Sequence, residues 1–210
     1  MLSGVPREVL PGIFHWTAIH PEIRVPVHCH YLEPQRMLLD PLVPAGGLGW
    51  FERRGAPRHV LLTNRLHSRE SAEFVKAFGC EIWCNSAGLD HFGPAGELPG
   101  LNVRGFRAGE TLPGGVRSLE IGELCPDETA FWIPGPQPAL AIADGIVRDA
   151  NGELGFVPDE HIGDDPEAIR RALRAAYQRL LSLDFDHLLF AHGEPWIGGG
   201  KQALAAFAAG

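Results

Sequence analysis

The sequence predicts an α/β fold in which sheets are packed against outer helices. A strand–helix–strand run with apolar strands spans residues 59–84, which is the order of a parallel crossover. Short strand candidates separated by Gly and Pro fill residues 100–143, which indicates antiparallel hairpins. A helix that begins at Asp165-Pro166 then leads to a buried strand at 187–191. Sheets with helices outside are the economical way to bury these faces.

The elements up to the crossover follow from alternation, helical spacing and stop signals. Alternating and aromatic residues predict three early strands, at 12–19, 25–31 and 37–40. A short helix follows at 48–54, and the crossover itself contains a strand at 59–63, a helix at 68–78 and a strand at 80–84. Gly79 is placed to end the helix, because glycine readily adopts the left-handed conformation found after a helix.

The elements of the second half are shorter until the long helix. The four strand candidates lie at 101–106, 116–121, 129–133 and 139–143. The helix that begins at Asp165-Pro166 carries an apolar stripe at helical spacing and is predicted to end near Asp184. After the strand at 187–191, the segment 198–201 leads into an Ala-rich final helix.

Length, charge and hydropathy limit the classes of function. A chain of 210 residues with 45% hydrophobic residues can bury one substantial core, so we expect a single domain over residues 1–210. The net charge of −8 disfavours contact with nucleic acid. No apolar run approaches the ~20 residues of a membrane span, and the start lacks the pattern of a signal peptide. We expect a cytoplasmic protein that binds a small molecule; the sequence does not indicate its oligomeric state.

Four short segments follow predicted strands and can carry chemistry. They are Leu38-Leu39-Asp40-Pro41, Leu61-Leu62-Thr63, Ala141-Ile142-Ala143-Asp144-Gly145 and Ala191-His192-Gly193-Glu194-Pro195. In this order and at these distances the chain resembles the metallo-β-lactamase-fold superfamily of metal-dependent hydrolases. The resemblance covers nearly the whole chain. It implies a four-layer αββα sandwich of mixed sheets with the helices outside, and a cleft at the C-terminal ends of the strands.

The resemblance also implies a metal site. In the superfamily an HxHxDH segment after the Thr, a middle His, a bridging Asp and a final His hold one or two metal ions, which activate water. Asp144 matches the bridging Asp and His192 matches the final His. These two residues are therefore the first candidate metal ligands.

The first motif departs from the superfamily pattern. Without gaps, its four ligand positions hold Asn64, Leu66, Ser68 and Arg69. Leu cannot ligate a metal, and Arg does not lose its proton to do so. A slip of one residue brings in His67 as a candidate ligand. The chain resembles a subgroup with Thr-Asn-Arg here and Pro-Asp-Glu-Thr at the second motif, which implies an inherited alternative site.

Other residues can complete such a site. The segment of the middle His holds acids instead, so that Glu123, Asp127 or Glu128 is a candidate oxygen ligand. Asn64, Arg65 and Arg69 are candidates for binding an anionic substrate group near the helix start; surface ion pairs are the alternative for the two arginines.

A second histidine pair lies on an early predicted strand. His28 and His30 share one face of that strand, which can suit a metal, although isolated pairs of this kind are common. His15 and His20 have no partner at a useful spacing along the chain.

Three functions follow from these residues. The first is a metal-dependent hydrolase with one divalent ion, Zn²⁺, Mn²⁺ or Fe²⁺, in an altered mononuclear site. His192 and Asp144 would be ligands, aided by Glu128 or Glu123 and by His67. The alternative is a non-catalytic ligand-binding or interaction protein without metal. Redox or oxygen chemistry at iron is a third hypothesis.

Overall fold

The structure is a computed structural model that describes residues 3–92 and 96–210. Residues 1 and 2 lie outside the described residues. The expectations about the start of the chain and about the domain bounds depend partly on them. The first part of the chain forms seven strands and two helices. The strands are β1 (Arg7–Leu10), β2 (Ile13–Ile19), β3 (Pro26–Leu32), β4 (Met37–Leu39), β5 (His59–Leu61), β6 (Glu81–Asn85) and β7 (Val103–Phe106); the helices are α1 (Gly49–Glu52) and α2 (Ser71–Phe78).

These seven strands form one mixed sheet in chain order, from β1 to β7. The neighbours from β1 to β4 are antiparallel, and those from β4 to β7 are parallel. The predicted parallel crossover between β5 and β6 is therefore confirmed. The expectation that residues 101–106 begin a series of hairpins is wrong. Those residues form β7, which runs parallel to β6 with Val103 opposite Ile82, and the 3₁₀ segment Ser86–Phe92 lies between the two strands along the chain.

The second part of the chain forms a smaller sheet. Its elements are β8 (Arg117–Glu120), β9 (Thr129–Ile133), β10 (Ala139–Ile142), β11 (Val147–Arg148), β12 (Leu154–Gly155), α3 (Pro166–Leu180), β13 (His187–Phe190) and α4 (Gly200–Ala209). The sheet order is β13-β10-β9-β8. The strands β8, β9 and β10 pair antiparallel, as predicted, while β13 lies parallel to β10. The short pair β11–β12 forms a separate ribbon.

The layers follow from which faces are apolar. One cluster, with Leu39, Leu61 and Leu189, fills the space between the two sheets. A second joins α1 and α2 to the outer face of the first sheet through Phe51 and Phe74, and a third joins α3 and α4 to the second sheet. The predicted four-layer sandwich with helices outside is confirmed. None of the described helices is both long and apolar enough to cross a bilayer.

The start of α2 differs from the prediction, and the difference shapes the site. Asn64 accepts a hydrogen bond from the backbone of Leu66 and thereby caps a 3₁₀ turn, Arg65–His67. Arg69 then adopts a left-handed backbone with φ 43°, which an α-helix cannot contain. The helix therefore begins only at Ser71, three residues later than expected.

The two sheets meet at the tips of their strands. The backbone nitrogen of Thr129 donates to the carbonyl of Thr63 at 2.9 Å, and that of His28 donates to the carbonyl of Ala191 at 2.9 Å. The loops after β5, β10 and β13 are thus brought to one edge of the sandwich.

Candidate metal centre

Three polar side chains from three strand ends converge at this edge. His67 comes from the 3₁₀ turn after β5, Asp144 from the turn after β10, and His192 from the loop after β13. One ligand atom of each lies within 4.8 Å of the other two. We call these residues the 67–144–192 group.

The two imidazoles of the 67–144–192 group face the same carboxylate oxygen. Nε2 of His67 and Nε2 of His192 each lie 3.2 Å from Oδ1 of Asp144. That oxygen is buried, and none of the described residues donates a hydrogen bond of good geometry to it. Its neighbour Oδ2 accepts a hydrogen bond from the amide of Asn64 at 2.9 Å. Two imidazoles and one carboxylate are a donor set that fits Zn²⁺ or Fe²⁺.

His67 is held from behind by a second carboxylate. Its Nδ1 lies 2.8 Å from the hydroxyl of Thr63 and 3.1 Å from Oδ2 of Asp40. Thr63 in turn donates to Asp40 from its hydroxyl at 2.6 Å and from its backbone nitrogen at 2.9 Å. A carboxylate behind an imidazole keeps the proton on Nδ1 and leaves Nε2 to face the ligand, as in many metal sites.

The charges of the 67–144–192 group are strongly coupled. Burial opposes a charge on His67, but the carboxylates of Asp144 and Asp40 outweigh it and raise the pKa of His67 to about 9. Burial likewise opposes a charge on Asp144, yet His67 and His192 hold the pKa of Asp144 well below its usual value. Without a metal, His67 is therefore an imidazolium between two carboxylates at neutral pH.

We expect the metal-free protein to lose about 3 kcal/mol of stability between pH 6.5 and pH 9. The folded pKa of His67, about 9, exceeds its ordinary 6.5, so its contribution is complete below pH 6.5 and disappears as the pH rises through 9. Urea unfolding in the presence of a chelator at the two pH values measures the loss. His67→Gln should remove the part of the loss that belongs to His67, and Glu128→Gln the further part that arises because the raised pKa of Glu128, about 8, lies in the same pH window; equal stability of the wild-type protein at both values would contradict the prediction.

Asp127 positions the loop rather than joining the 67–144–192 group. It is fully buried and accepts hydrogen bonds from the backbone nitrogen and the guanidinium of Arg65, both at 2.5 Å. Gly88 packs so closely that a Cβ there would lie 2.6 Å from the Asp127 carboxylate. The Pro-Asp-Glu-Thr segment therefore fixes the Thr-Asn-Arg segment across the gap between the sheets.

Glu128 lies beside Asp144 but outside the 67–144–192 group. Its Oε1 accepts a hydrogen bond from the backbone nitrogen of Gly145 at 2.6 Å. Burial, reinforced by the negative charge of Asp144, raises the pKa of Glu128 to about 8. Glu128 is thus protonated at neutral pH, which avoids a second negative charge next to Asp144. Glu123, the other acid considered from the sequence, is half-buried and also lies outside the group.

Gly145→Ala is expected to destabilise the protein by about 2 kcal/mol through overpacking. A Cβ at this position would lie 2.5 Å from the hydroxyl of Tyr177 and 2.8 Å from Oε1 of Glu128. Both atoms are buried, so neither can move away freely. Gly135→Ala is the matched control, because nothing lies within 4 Å of its added Cβ. Thermal and urea unfolding of the two variants compare them, and equal stability would contradict the clash.

In the gapless alignment Arg69 takes the position of the last His of the superfamily motif, and in this structure it joins strand ends. Its Nη1 donates to the carbonyls of His28 at 2.9 Å and of Asp40 at 2.6 Å, and its Nη2 lies 3.5 Å from the carbonyl of Ala191. The guanidinium therefore connects the ends of β3, β4 and β13.

The structure places the sequence-predicted residues in three roles. His67, Asp144 and His192 come together, Asn64 supports Asp144, and Arg65 is paired with Asp127 while its side chain stays partly exposed. The sequence analysis did not identify the role of Asp40, which contacts Nδ1 of His67. The signal was present, because Asp40 stood in one of the four landmark segments that led to the resemblance.

Comparison with known proteins concerns the fold. No protein-family profile matches the chain, and no curated protein matches its sequence. Among solved structures, a metallo-β-lactamase family protein from Thermus thermophilus superposes with a TM-score of 0.64 at 17% identity, covering 96% of this chain and 80% of that one. A protein solved in a di-iron-bound form gives 0.59 at 26% identity, covering 95% and 96%. A variant of a flavo di-iron protein from Thermotoga maritima gives 0.65 at 14% identity, covering 100% and 62%.

These likenesses extend over nearly the whole chain. They agree with the order of strands and helices and with the four layers described above. The chain therefore has the metallo-β-lactamase fold.

Proposed function

We propose that the protein is a metal-dependent hydrolase in which His67, Asp144 and His192 hold one divalent ion. The observation that carries this proposal is the convergence of two imidazole Nε2 atoms on one buried carboxylate oxygen, each at 3.2 Å. The fold supports it, since solved proteins of similar structure include metallo-β-lactamase family proteins and a di-iron-bound form. When bound, such an ion lowers the pKa of water and polarises a carbonyl or phosphoryl group.

The surrounding residues have separate tasks in this proposal. Asp40 keeps a proton on Nδ1 of His67, so that Nε2 is free to ligate. Asn64 fixes the Asp144 carboxylate through its amide. Glu128, protonated at neutral pH, leaves Asp144 as the negatively charged ligand. His192 lies on a loop and is partly exposed, which leaves this side of the group accessible to a substrate.

The substrate in this proposal is a small molecule with an anionic group. Arg65 supports this, because its guanidinium bonds to Asp127 through one nitrogen and remains about one third exposed. An arginine fixed by a buried carboxylate can still present donors to a carboxylate or phosphate. Arg69 is less suited to substrate binding, since it donates to backbone carbonyls.

Metal analysis combined with hydrolysis tests the proposal. Protein purified without a chelator, and again after stripping and reloading with Zn²⁺, Mn²⁺ or Fe²⁺, is assayed on chromogenic ester, thioester and phosphodiester substrates. His192→Ala should lose one equivalent of metal and the metal-dependent turnover, while His161→Ala, at an exposed position, should keep both. Metal content that His192→Ala leaves unchanged, or turnover that is indifferent to metal, would overturn the proposal.

A second candidate is a metal-free binding protein, and one observation favours it. With a pKa of about 9, His67 is already charged between Asp40 and Asp144, so that the negative charge of Asp144 has a cationic partner without an ion. This candidate predicts that His192→Ala leaves ligand binding intact and that chelators have no effect on the stability of protein purified without them.

A further inference from the structure

A second histidine cluster lies on the inner face of the first sheet. His15 on β2 is paired directly with His30 on β3, and Thr17 is paired with His28. Because residues two apart share a face of a strand, the three imidazoles emerge on the same side. That side is the one that faces the second sheet, since Ile13 and Leu32 of the same rows belong to the core between the sheets.

The loop after β13 closes this cluster with a carboxylate. Glu194 follows His192 by two residues, and its Oε2 lies 3.9 Å from Nδ1 of His15. Nε2 of His15 lies 2.8 Å from Nδ1 of His28. One ligand atom each from His15, His28 and Glu194 lies within 4.8 Å of the other two. We call these residues the 15–28–194 group.

Unpartnered nitrogens provide an independent observation. Nδ1 of His15 and Nε2 of His30 are buried and have no hydrogen-bond partner among the described residues. His15 is 0% exposed and His30 is 3% exposed. Leaving a buried polar atom without a partner costs about 1–3 kcal/mol each. His30 lies outside the 15–28–194 group, whereas Nδ1 of His15 faces Glu194, so this nitrogen indicates a partner missing from the group.

We propose that His15, His28 and Glu194 form a second binding site for a divalent transition metal, separate from the 67–144–192 group. Two imidazoles and one carboxylate are a ligand set suited to Zn²⁺ or Fe²⁺. The hydroxyl of Thr17 lies 3.4 Å from Oε1 of Glu194 and can orient that carboxylate. In His15 the ligand nitrogen is Nδ1, which faces Glu194, because Nε2 is already in contact with Nδ1 of His28 and one imidazole binds an ion through one nitrogen.

The position of Glu194 gives an ion access to the buried nitrogens. Its side chain is 54% exposed, whereas the side chain of His15 is 1% exposed. Arg7 forms an ion pair with the same oxygen of Glu194 from the solvent side. An ion can therefore reach the cluster by exchanging with an exposed surface pair, without opening the core.

Zn²⁺ binding by the stripped full-length protein tests this site separately from the proposed function. Equilibrium dialysis should give two equivalents for the wild-type protein, and Co²⁺ titration should give visible bands in two steps. Glu194→Gln should lose one equivalent, Asp144→Asn the other, and the double variant both. The wild-type stoichiometry of two should persist in the controls, Glu22→Gln at an exposed position and Arg7→Gln, which removes the ion pair but no ligand.

The outcomes separate the two proposals. One equivalent that Glu194→Gln removes and Asp144→Asn keeps would support the 15–28–194 group while overturning the metal-dependent function. One equivalent that Asp144→Asn removes and Glu194→Gln keeps would overturn the second site. Two equivalents that both remain bound in Glu194→Gln would also overturn it. Because Glu194 is exposed, its variant should fold; His28→Gln, checked by near-ultraviolet circular dichroism, provides the second variant and should lose the same equivalent.

Discussion

Asp144→Asn is expected to abolish metal binding by the 67–144–192 group and to destabilise the metal-free protein by about 3 kcal/mol. The ligand change follows from chemistry, because an amide is a far weaker metal ligand than a carboxylate. The stability change follows from charge. His67 would remain buried beside Asp40 but would lose the carboxylate that contributes most to raising its pKa to about 9.

The size of this destabilisation should depend on pH in a specific direction. Since His67 loses its charge as the pH rises through 9, the cost of Asp144→Asn should be largest near pH 6.5 and smaller at pH 9. Urea unfolding with chelator at the two pH values measures it, and dialysis against Zn²⁺ measures the ligand loss. Asp164→Asn, at an exposed position, is the matched control. Undiminished Zn²⁺ binding would show that Asp144 is not a ligand.

Arg69→Ala is expected to destabilise the protein by about 3–4 kcal/mol, whether or not metal is bound, since each hydrogen bond from a charged group to a buried carbonyl contributes about 1.5–3 kcal/mol. The substitution would leave the carbonyls of His28 and Asp40 without the guanidinium donor. Arg69→Lys should recover less than half of the loss, because one ammonium group cannot reproduce the planar fork that spans three strand ends. Urea unfolding of the variants, with and without Zn²⁺, measures these differences.

A third variant at this position tests whether the histidine of the superfamily motif can replace Arg69. Arg69→His would restore the residue type of the superfamily at this position, yet we expect it to be nearly as unstable as Arg69→Ala. The reason is that the guanidinium binds backbone carbonyls in this chain, a task that imidazole is too short and has too few donors to perform. Arg171→Ala, on the exposed face of α3, is the control. Wild-type stability of Arg69→Ala would contradict the role of the guanidinium in joining the strand ends.

The fold was largely predictable from the sequence, since the spacing of apolar residues and the Gly and Pro stop signals mark most helices and strands. The crossover around α2, the hairpins of β8 to β10 and the long helix α3 were all anticipated. The strand β7 was assigned to the wrong partner, because local alternation shows that a strand exists and does not show which sheet it joins. The late start of α2 depended on the cap at Asn64 and on the left-handed backbone of Arg69, which side-chain periodicity does not report.

The candidate site was predictable only in part. Asp144 and His192 follow directly from strand-end landmarks, and His67 was reached by allowing a slip of one residue in the motif. His15, by contrast, was thought to have no partner at a useful spacing along the chain. That conclusion is wrong in space, because antiparallel register places His15 opposite His30 and within 2.8 Å of His28. Such pairing depends on where the turn between β2 and β3 falls, and a single sequence does not specify it.

The way the two sheets meet has a consequence for assembly. The contact between Asn64 and Asp144 joins residues 80 positions apart, and it links a loop of the first sheet to a loop of the second. Closing so long a loop is entropically unfavourable until apolar surfaces dock, so the 67–144–192 group forms only after each half of the chain has found the other. An ion that binds there would recognise the docked halves alone and would slow their separation. Metal loading would then report the docking of the two halves, and a chelator would act as a selective probe of that docking.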